Sequence, residues 1–128
     1  MAHLYIIRGV PGSGKSTLAK RMISTGMASR HYEADMYMVD EFGQYKFDRN
    51  KLPECHGRCY SDAIESLKAG FEVIVSNTFT KRWEYQNYII AAQDIGCFVT
   101  VLVCQGVFKN VHGVPINVVS SMRERFEY

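Results

Sequence analysis

Nine residues near the start of the chain carry recognisable chemistry: GVPGSGKST, Gly9 to Thr17. The spacing G-x-x-x-x-G-K-[ST] is met by Gly9, Gly14, Lys15 and Ser16. Val10, Pro11, Gly12 and Ser13 lie between, and Thr17 follows. Glycines let successive backbone N–H groups curl around phosphate oxygens that a Cβ would obstruct. A helix starting at the end of such a loop adds unpaired amides and the positive end of its dipole. Lys15 then supplies a mobile cation for the terminal phosphates, and the Ser16 hydroxyl suits Mg²⁺. The predicted ligand is a nucleoside triphosphate, ATP, with Mg²⁺.

Binding is not chemistry, so a carboxylate is needed next. The apolar run FEVIVS ends in Asn77 and CFVTVLV ends in Cys104, neither of them acidic. The acid expected at a strand end is Asp35, in YEADMYM. Ligands of open parallel sheets sit beyond the carboxyl ends of the strands, so Asp35 falls on the same rim as Lys15. There it can accept the proton of an attacking hydroxyl or hold the metal. Its plainer alternative is to cap a short helix, Met36 to Glu41.

These residues need a scaffold, and the chain alternates strand-like and helix-like segments, which predicts α/β with a mostly parallel sheet. Strands are expected at His3 to Arg8, Arg30 to Ala34, Phe71 to Ser76 and Cys97 to Cys104. Helices are expected at Lys15 to Ser24, with Leu18, Ala19, Met22 and Ile23 as its apolar face, and from Pro53 to Ala69, ended by Gly70. Another should run from Lys81 to Asp94, capped by Thr80, with Tyr85, Tyr88, Ile89 and Ala92 inward. Pro115 should open a last helix that turns Val118, Val119, Met122 and Phe126 inward. Residues 42–50 read as irregular or hairpin-like, and 105–114 as a loop.

With 128 residues and 47% hydrophobic content the chain is read as one soluble domain, residues 1–128. A net charge of +2 gives no composition-level case for nucleic acid, and no segment approaches a membrane span. MAHLYIIRG does not read as a signal peptide, so a cytoplasmic setting with reduced Cys55, Cys59, Cys97 and Cys104 is expected. Cys55-His56-x-x-Cys59 invites zinc, but three clustered ligands without a second cluster favour core thiols, with His56 read as buried and hydrogen-bonded rather than facing the acceptor cleft. Tyr37, Tyr45, Phe47 and Tyr60 form either a small satellite core or stacking faces for a base, with Lys46, Arg49 and Lys51 interleaved. Trp83 and Ile90 fall off the buried face of their helix.

GVPGSGKST, YEAD, VIVSNT and HGVPINVVSSM, in that order across nearly the whole chain, resemble the kinase domain of phage-type polynucleotide 5′-kinase and its AAA-like ATP-binding relatives. The resemblance implies a three-layer α/β/α sandwich of the P-loop kinase type. It also implies Asp35 as general base on a 5′-hydroxyl, Lys15 as the phosphate lysine and Ser16 as the metal-linked serine. Asn77 and Thr78 fall on the substrate side. Two departures stand out. Asn77 replaces an Asp that pairs with a catalytic arginine, and the short lid QGVFKNVHGVP offers Lys109 and His112 in place of arginines. Arg123 and Arg125 on the last helix either compensate or form a solvated face. Three functions stay open: a kinase acting on a nucleic-acid or nucleotide 5′-OH, a small-metabolite kinase, and a nucleotide-binding protein with little turnover. No membrane partner is expected.

Overall fold

The computed structural model describes residues 2–108 and 113–128. Four strands, β1 (His3–Arg8), β2 (Arg30–Tyr32), β3 (Val73–Asn77) and β4 (Phe98–Val103), form one sheet in the order β2-β3-β1-β4, with every pairing parallel. Among the described residues, four α-helices flank it: α1 (Lys15–Ser24), α2 (Leu52–Lys68), α3 (Trp83–Ile95) and α4 (Ile116–Arg125). β1 and β3 are central and buried along almost their whole length, which is why they read as continuous apolar runs.

The pleat divides the core into two layers. Tyr5, Ile7 and Ile74 point to one face and pack with Ala19, Met22 and Ala28 of α1 and the turn behind it. Leu4, Ile6, Val73 and Val75 point to the other face. There they meet Cys59, Ala63, Ile64 and Leu67 of α2 and Tyr85, Tyr88 and Ala92 of α3. The chain is therefore a three-layer α/β/α sandwich of the P-loop type. The chain leaves β1 toward one face and β3 toward the other, so a crevice opens between their carboxyl ends, where ligands of doubly wound sheets bind.

Several local expectations shift. β2 stops at Tyr32, because Glu33 caps a 3₁₀ turn at Ala34–Tyr37. That cap belongs to Glu33 and not to Asp35. Thr80 does not cap α3. Instead Glu84 accepts from Thr80 Oγ1 and from the backbone N–H of Lys81, both at 3.0 Å, and so closes the helix start from within. On α4 only Val119 is buried, while Val118 is exposed. Residues 42–50 contain a tight turn held by Asp40 and an antiparallel bridge between Val39 and Tyr45.

Arg8, which closes β1, is the largest fully buried side chain. Its Nε donates to the Phe79 carbonyl at 3.0 Å, and its guanidinium lies 4.7 Å from the ring centres of both Tyr85 and Phe126. It also donates to the carbonyl of Glu127. Cation–π contacts of this desolvated kind are worth about 2 kcal/mol or more. They fasten the segment after α4 across the strand ends. Phe79, at φ 44, takes the left-handed conformation this arrangement requires of the backbone.

Candidate active site

The phosphate loop is built by sterics. Gly12 and Gly14 adopt φ 82 and φ 101, conformations open to glycine. Gly9 has ordinary dihedrals but no room, because a Cβ there would lie 2.2 Å from Ser13 Oγ and 2.8 Å from the Cys104 carbonyl oxygen. Two neighbours pin the loop: Gly9 N–H donates to Thr78 O at 3.2 Å, and Phe108 N–H donates to Gly12 O at 2.8 Å. α1 begins at Lys15 with no side-chain cap and no acidic residue in its first turn. Its positive end is left for an anion.

Opposite the loop lies the turn that carries Asp35. It is held from below: the Asn77 carboxamide oxygen accepts the N–H of Ala34 at 2.8 Å, inside the core. The other Asn77 group faces Cys59 Sγ at 3.9 Å. Between loop and turn opens a cavity of about 410 Å³. Pro11, Gly12, Gly14, Lys15, Ser16 and Thr17 form one wall, and Ala34, Asp35, Tyr45, Phe47, Leu52 and His56 form the other. Ser76, Asn77 and Thr78 form the floor, and Phe108, Val114 and Met122 close the α4 side.

The Lys15 ammonium donates to Val10 O at 3.1 Å. Burial lowers its pKa, and the negative charges of Cys104, Glu33 and Asp35, in that order, oppose the shift. A polyphosphate entering the cavity would add further opposition and favour the charged form.

Glu33 is the acid that sequence reasoning missed. It shares the rim with Asp35, which is therefore not the rim's only carboxylate. Glu33 accepts from Ser76 Oγ at 3.2 Å, and His31 Nε2 lies 2.6 Å from the same hydroxyl and 3.8 Å from Glu33. Burial lowers the pKa of His31; Glu33 opposes this and Lys20 adds to it. The alternation of His31 in β2 and Glu33 just beyond it could have hinted at a shared face, but only the pairing of β2 with β3 brings them to Ser76.

The structure gathers most of the expected site. Gly12, Gly14, Lys15, Ser16, Thr17, Asp35, Asn77 and Thr78 all line the cavity, and so does Pro11. Gly9, Val10 and Ser13 are buried behind the loop they shape. Arg123 sits on the exposed side of α4 and is not in the cavity wall. Lys109 and His112 lie outside the described residues. His56 is exposed, contrary to the buried position expected, and it faces the cavity. Tyr45 and Phe47 line it as well, at 42% and 59% exposure, so they are not a closed satellite core. Tyr37 does pack inward, donating to the Asp62 carboxylate. Burial and Asp62 push its pKa upward. Cys55 and Cys59 are buried thiols, and no cluster of three His, Cys, Asp or Glu that could hold a metal occurs among the described residues.

The donors fit Mg²⁺ all the same. That ion prefers oxygen, keeps several waters, and is usually held by one or two protein groups together with the phosphates themselves. The Ser16 hydroxyl and the Asp35 carboxylate, both lining the cavity, are the oxygen donors that would suit such an ion.

Comparison with known proteins agrees with this architecture. An AAA domain family matches residues 4–106. The human NEDD4-binding protein 2 is 33% identical over 91 residues, covering 70% of this chain and 5% of that protein. A chain of the Pnkp1/Rnl/Hen1 RNA repair complex superposes with a TM-score of 0.67 at 20% identity, covering 97% of this chain and 37% of that one. A gluconokinase from Sinorhizobium meliloti 1021 superposes with a TM-score of 0.64 at 18% identity, covering 98% of this chain and 75% of that one. The present chain thus spans a small part of the human relative and little over a third of the repair-complex chain. No helix among the described residues is long and apolar enough to cross a membrane. With the match running from β1 through β4 and the phosphate loop inside it, the chain belongs to the AAA domain family.

Proposed function

We propose that this protein is an ATP-dependent kinase that moves the γ-phosphoryl group of ATP·Mg²⁺ to a hydroxyl, the 5′-OH of a nucleic acid or nucleotide. The observation that carries the reading is the shared cavity. The phosphate loop and Asp35 face each other across it, and Asn77 braces the Asp35 turn from the floor.

In this reading the amides of the loop and of the first turn of α1 hold the phosphates, and Lys15 neutralises charge on the group in transit. Asp35 takes the proton as the acceptor oxygen bonds to γ-phosphorus and the bond to the β–γ bridging oxygen breaks, releasing ADP. Bound Mg²⁺ would supply further positive charge to the phosphates; Ser16 is the residue that would hold it, with Asp35 as its ligand only in the alternative to Asp35 acting as base. Thr78 and Asn77, on the floor, lie where an acceptor would contact the protein. From the sequence, Lys109 is the lid residue proposed to supply charge to the γ-phosphate, without the bidentate fork of an arginine. Arg123 would contribute only if α4 turned it toward the cavity. The named relatives act in support: one of the superposed chains belongs to an RNA repair complex.

The test is transfer of labelled γ-phosphate from ATP to a 5′-hydroxyl oligonucleotide, run beside nucleosides and sugar acids. Asp35→Ala should remove transfer, about 10²–10⁴-fold for a lost general base, while ATP affinity is kept. Labelling of sugar acids but no 5′-hydroxyl would replace the acceptor with a small metabolite. Full transfer by Asp35→Ala would overturn the mechanism.

A further inference from the structure

β4 stands at one edge of the sheet, and among the described residues its only strand partner is β1. We propose that this edge pairs antiparallel with β4 of a second copy of this chain, joining two four-stranded sheets into one continuous sheet about a two-fold axis at Val101. No residue of β4 lines the cavity between the phosphate loop and Asp35, so the interface stands independently of the kinase reading.

The backbone fixes what can cover this edge. Phe98 N–H donates to Ala2 O at 3.3 Å and Cys104 N–H donates to Arg8 O at 2.7 Å, so the even-numbered residues of β4 face β1. Alternation along a strand then turns the N–H and C=O groups of Val99, Val101 and Val103 outward. Such a row is a template for another strand, and sheets guard against it with short edges, charges, prolines or bulges. The opposite edge is guarded: β2 has three residues, and one is Arg30. β4 has six, FVTVLV, and no charged residue or proline lies between Asp94 and Lys109. Its ladder to β1 runs unbroken from His3↔Phe98 to Arg8↔Val103, without a bulge. Phe98 is 62% exposed and Val101 39%.

The residue pattern selects the partner. In an antiparallel pairing centred on Val101, the pairs that exchange both N–H···O bonds are Val101 with the partner's Val101 and Val99 with the partner's Val103. This register matches all three outward residues with one another. The intervening pairs set Phe98 beside the partner's Cys104 and Thr100 beside the partner's Leu102. Every pair is uncharged, so none brings like charges together, and β-branched residues suit strand pairing. A second β4 therefore complements this edge residue by residue, and the contact is isologous, closing at two copies.

The test is the mass of the protein in solution from low to high micromolar concentration, by light scattering behind size exclusion, with amide exchange read residue by residue. A species of twice the mass of one chain is expected, and exchange at Val99, Val101 and Val103 should slow as it forms. Val101→Lys puts two cations on the two-fold axis and should leave a monomer, and Val101→Glu should do the same with two anions. An equimolar mixture of these two variants should recover the dimer, which also shows that each of them folds. A monomer at every concentration, a dimer that survives in Val101→Lys alone, or a dimer whose Val99, Val101 and Val103 amides exchange as fast as in the monomer would overturn the proposal. So would growth into larger assemblies without a stop at two copies, because the two-fold contact leaves no β4 edge to extend.

Discussion

Asn77 offers the most decisive perturbation, because it acts on Asp35 only through the backbone. Its carboxamide oxygen is the partner of the buried Ala34 N–H, at 2.8 Å, and Ala34 immediately precedes Asp35. Asn77→Leu keeps the volume and removes the acceptor. A buried N–H left unpaired costs about 1–3 kcal/mol. For a domain of this size that corresponds to a fall in melting temperature of about 3–6 °C per kcal/mol. The effect on rate should be larger than the effect on stability suggests. A catalytic group displaced by about 1 Å can lose about 10²-fold, and the Asn77 bond to Ala34, together with the Ser76–Glu33 bond, ties the Ala34–Tyr37 turn to β3's end.

Asn77→Leu should therefore lower kcat about a hundredfold with little change in nucleotide affinity, since the loop's own contact to the strand end is a backbone bond from Gly9 to Thr78. Asn77→Asp retains an oxygen in the same place and should recover most of the turnover. The assays are thermal denaturation, nucleotide titration and steady-state transfer on all three proteins. Asn77→Leu that melts earlier yet turns over normally would refute the reasoning, because Asp35 would then be either independent of its turn or idle in the reaction.

Two further outcomes follow from the geometry. Gly9→Ala would place a Cβ 2.2 Å from Ser13 Oγ and 2.8 Å from Cys104 O; overpacking of this kind costs about 1–3 kcal/mol, and nucleotide affinity should fall with it. Calorimetric titration checks this, and Ser13→Gly in the same chain should relieve only the first of the two clashes. Burial holds the His31 pKa below its ordinary 6.5, against the pull of Glu33 and with the help of Lys20. Between the native value and 6.5 the unfolded chain binds more protons than the folded one, so stability should fall as pH drops below about 6.5. Urea denaturation from pH 5 to 8 should show that slope, and His31→Gln should flatten it.

The sequence made the phosphate loop readable because its chemistry is local: four specified residues within eight positions, a strand before and a helix after. The core faces of α2 and α3 were readable for the same reason, since Cys55, Cys59, Ala63 and Leu67, or Tyr85, Tyr88 and Ala92, recur at helical spacing and are buried together. What could not be read depends on partners far away in the chain. Arg8 looks like a spacer between strand and loop, yet its contacts are to Phe79, Tyr85, Phe126 and Glu127. Glu33 looks like one charge in YEAD until the pairing of β2 with β3 sets it beside Ser76. His56 was misplaced because helical spacing says which residues share a face but not where a neighbouring loop leaves a cavity.

These non-local contacts converge on the end of β3, and that convergence explains how two halves of a site from distant segments stay in register. Ser76 reaches Glu33 and His31, Asn77 reaches the backbone of Ala34, and the Thr78 carbonyl reaches Gly9. Three consecutive residues thus tie the acid-bearing turn and the phosphate loop to one central strand. A shift of β3 would move both together and preserve their separation, whereas loss of either bond would change it. Catalysis by positioning tolerates the first kind of motion and not the second. The place occupied by Asn, where the resembling kinases often carry Asp, is therefore conservative in the one respect that the turn requires: an oxygen facing the Ala34 N–H.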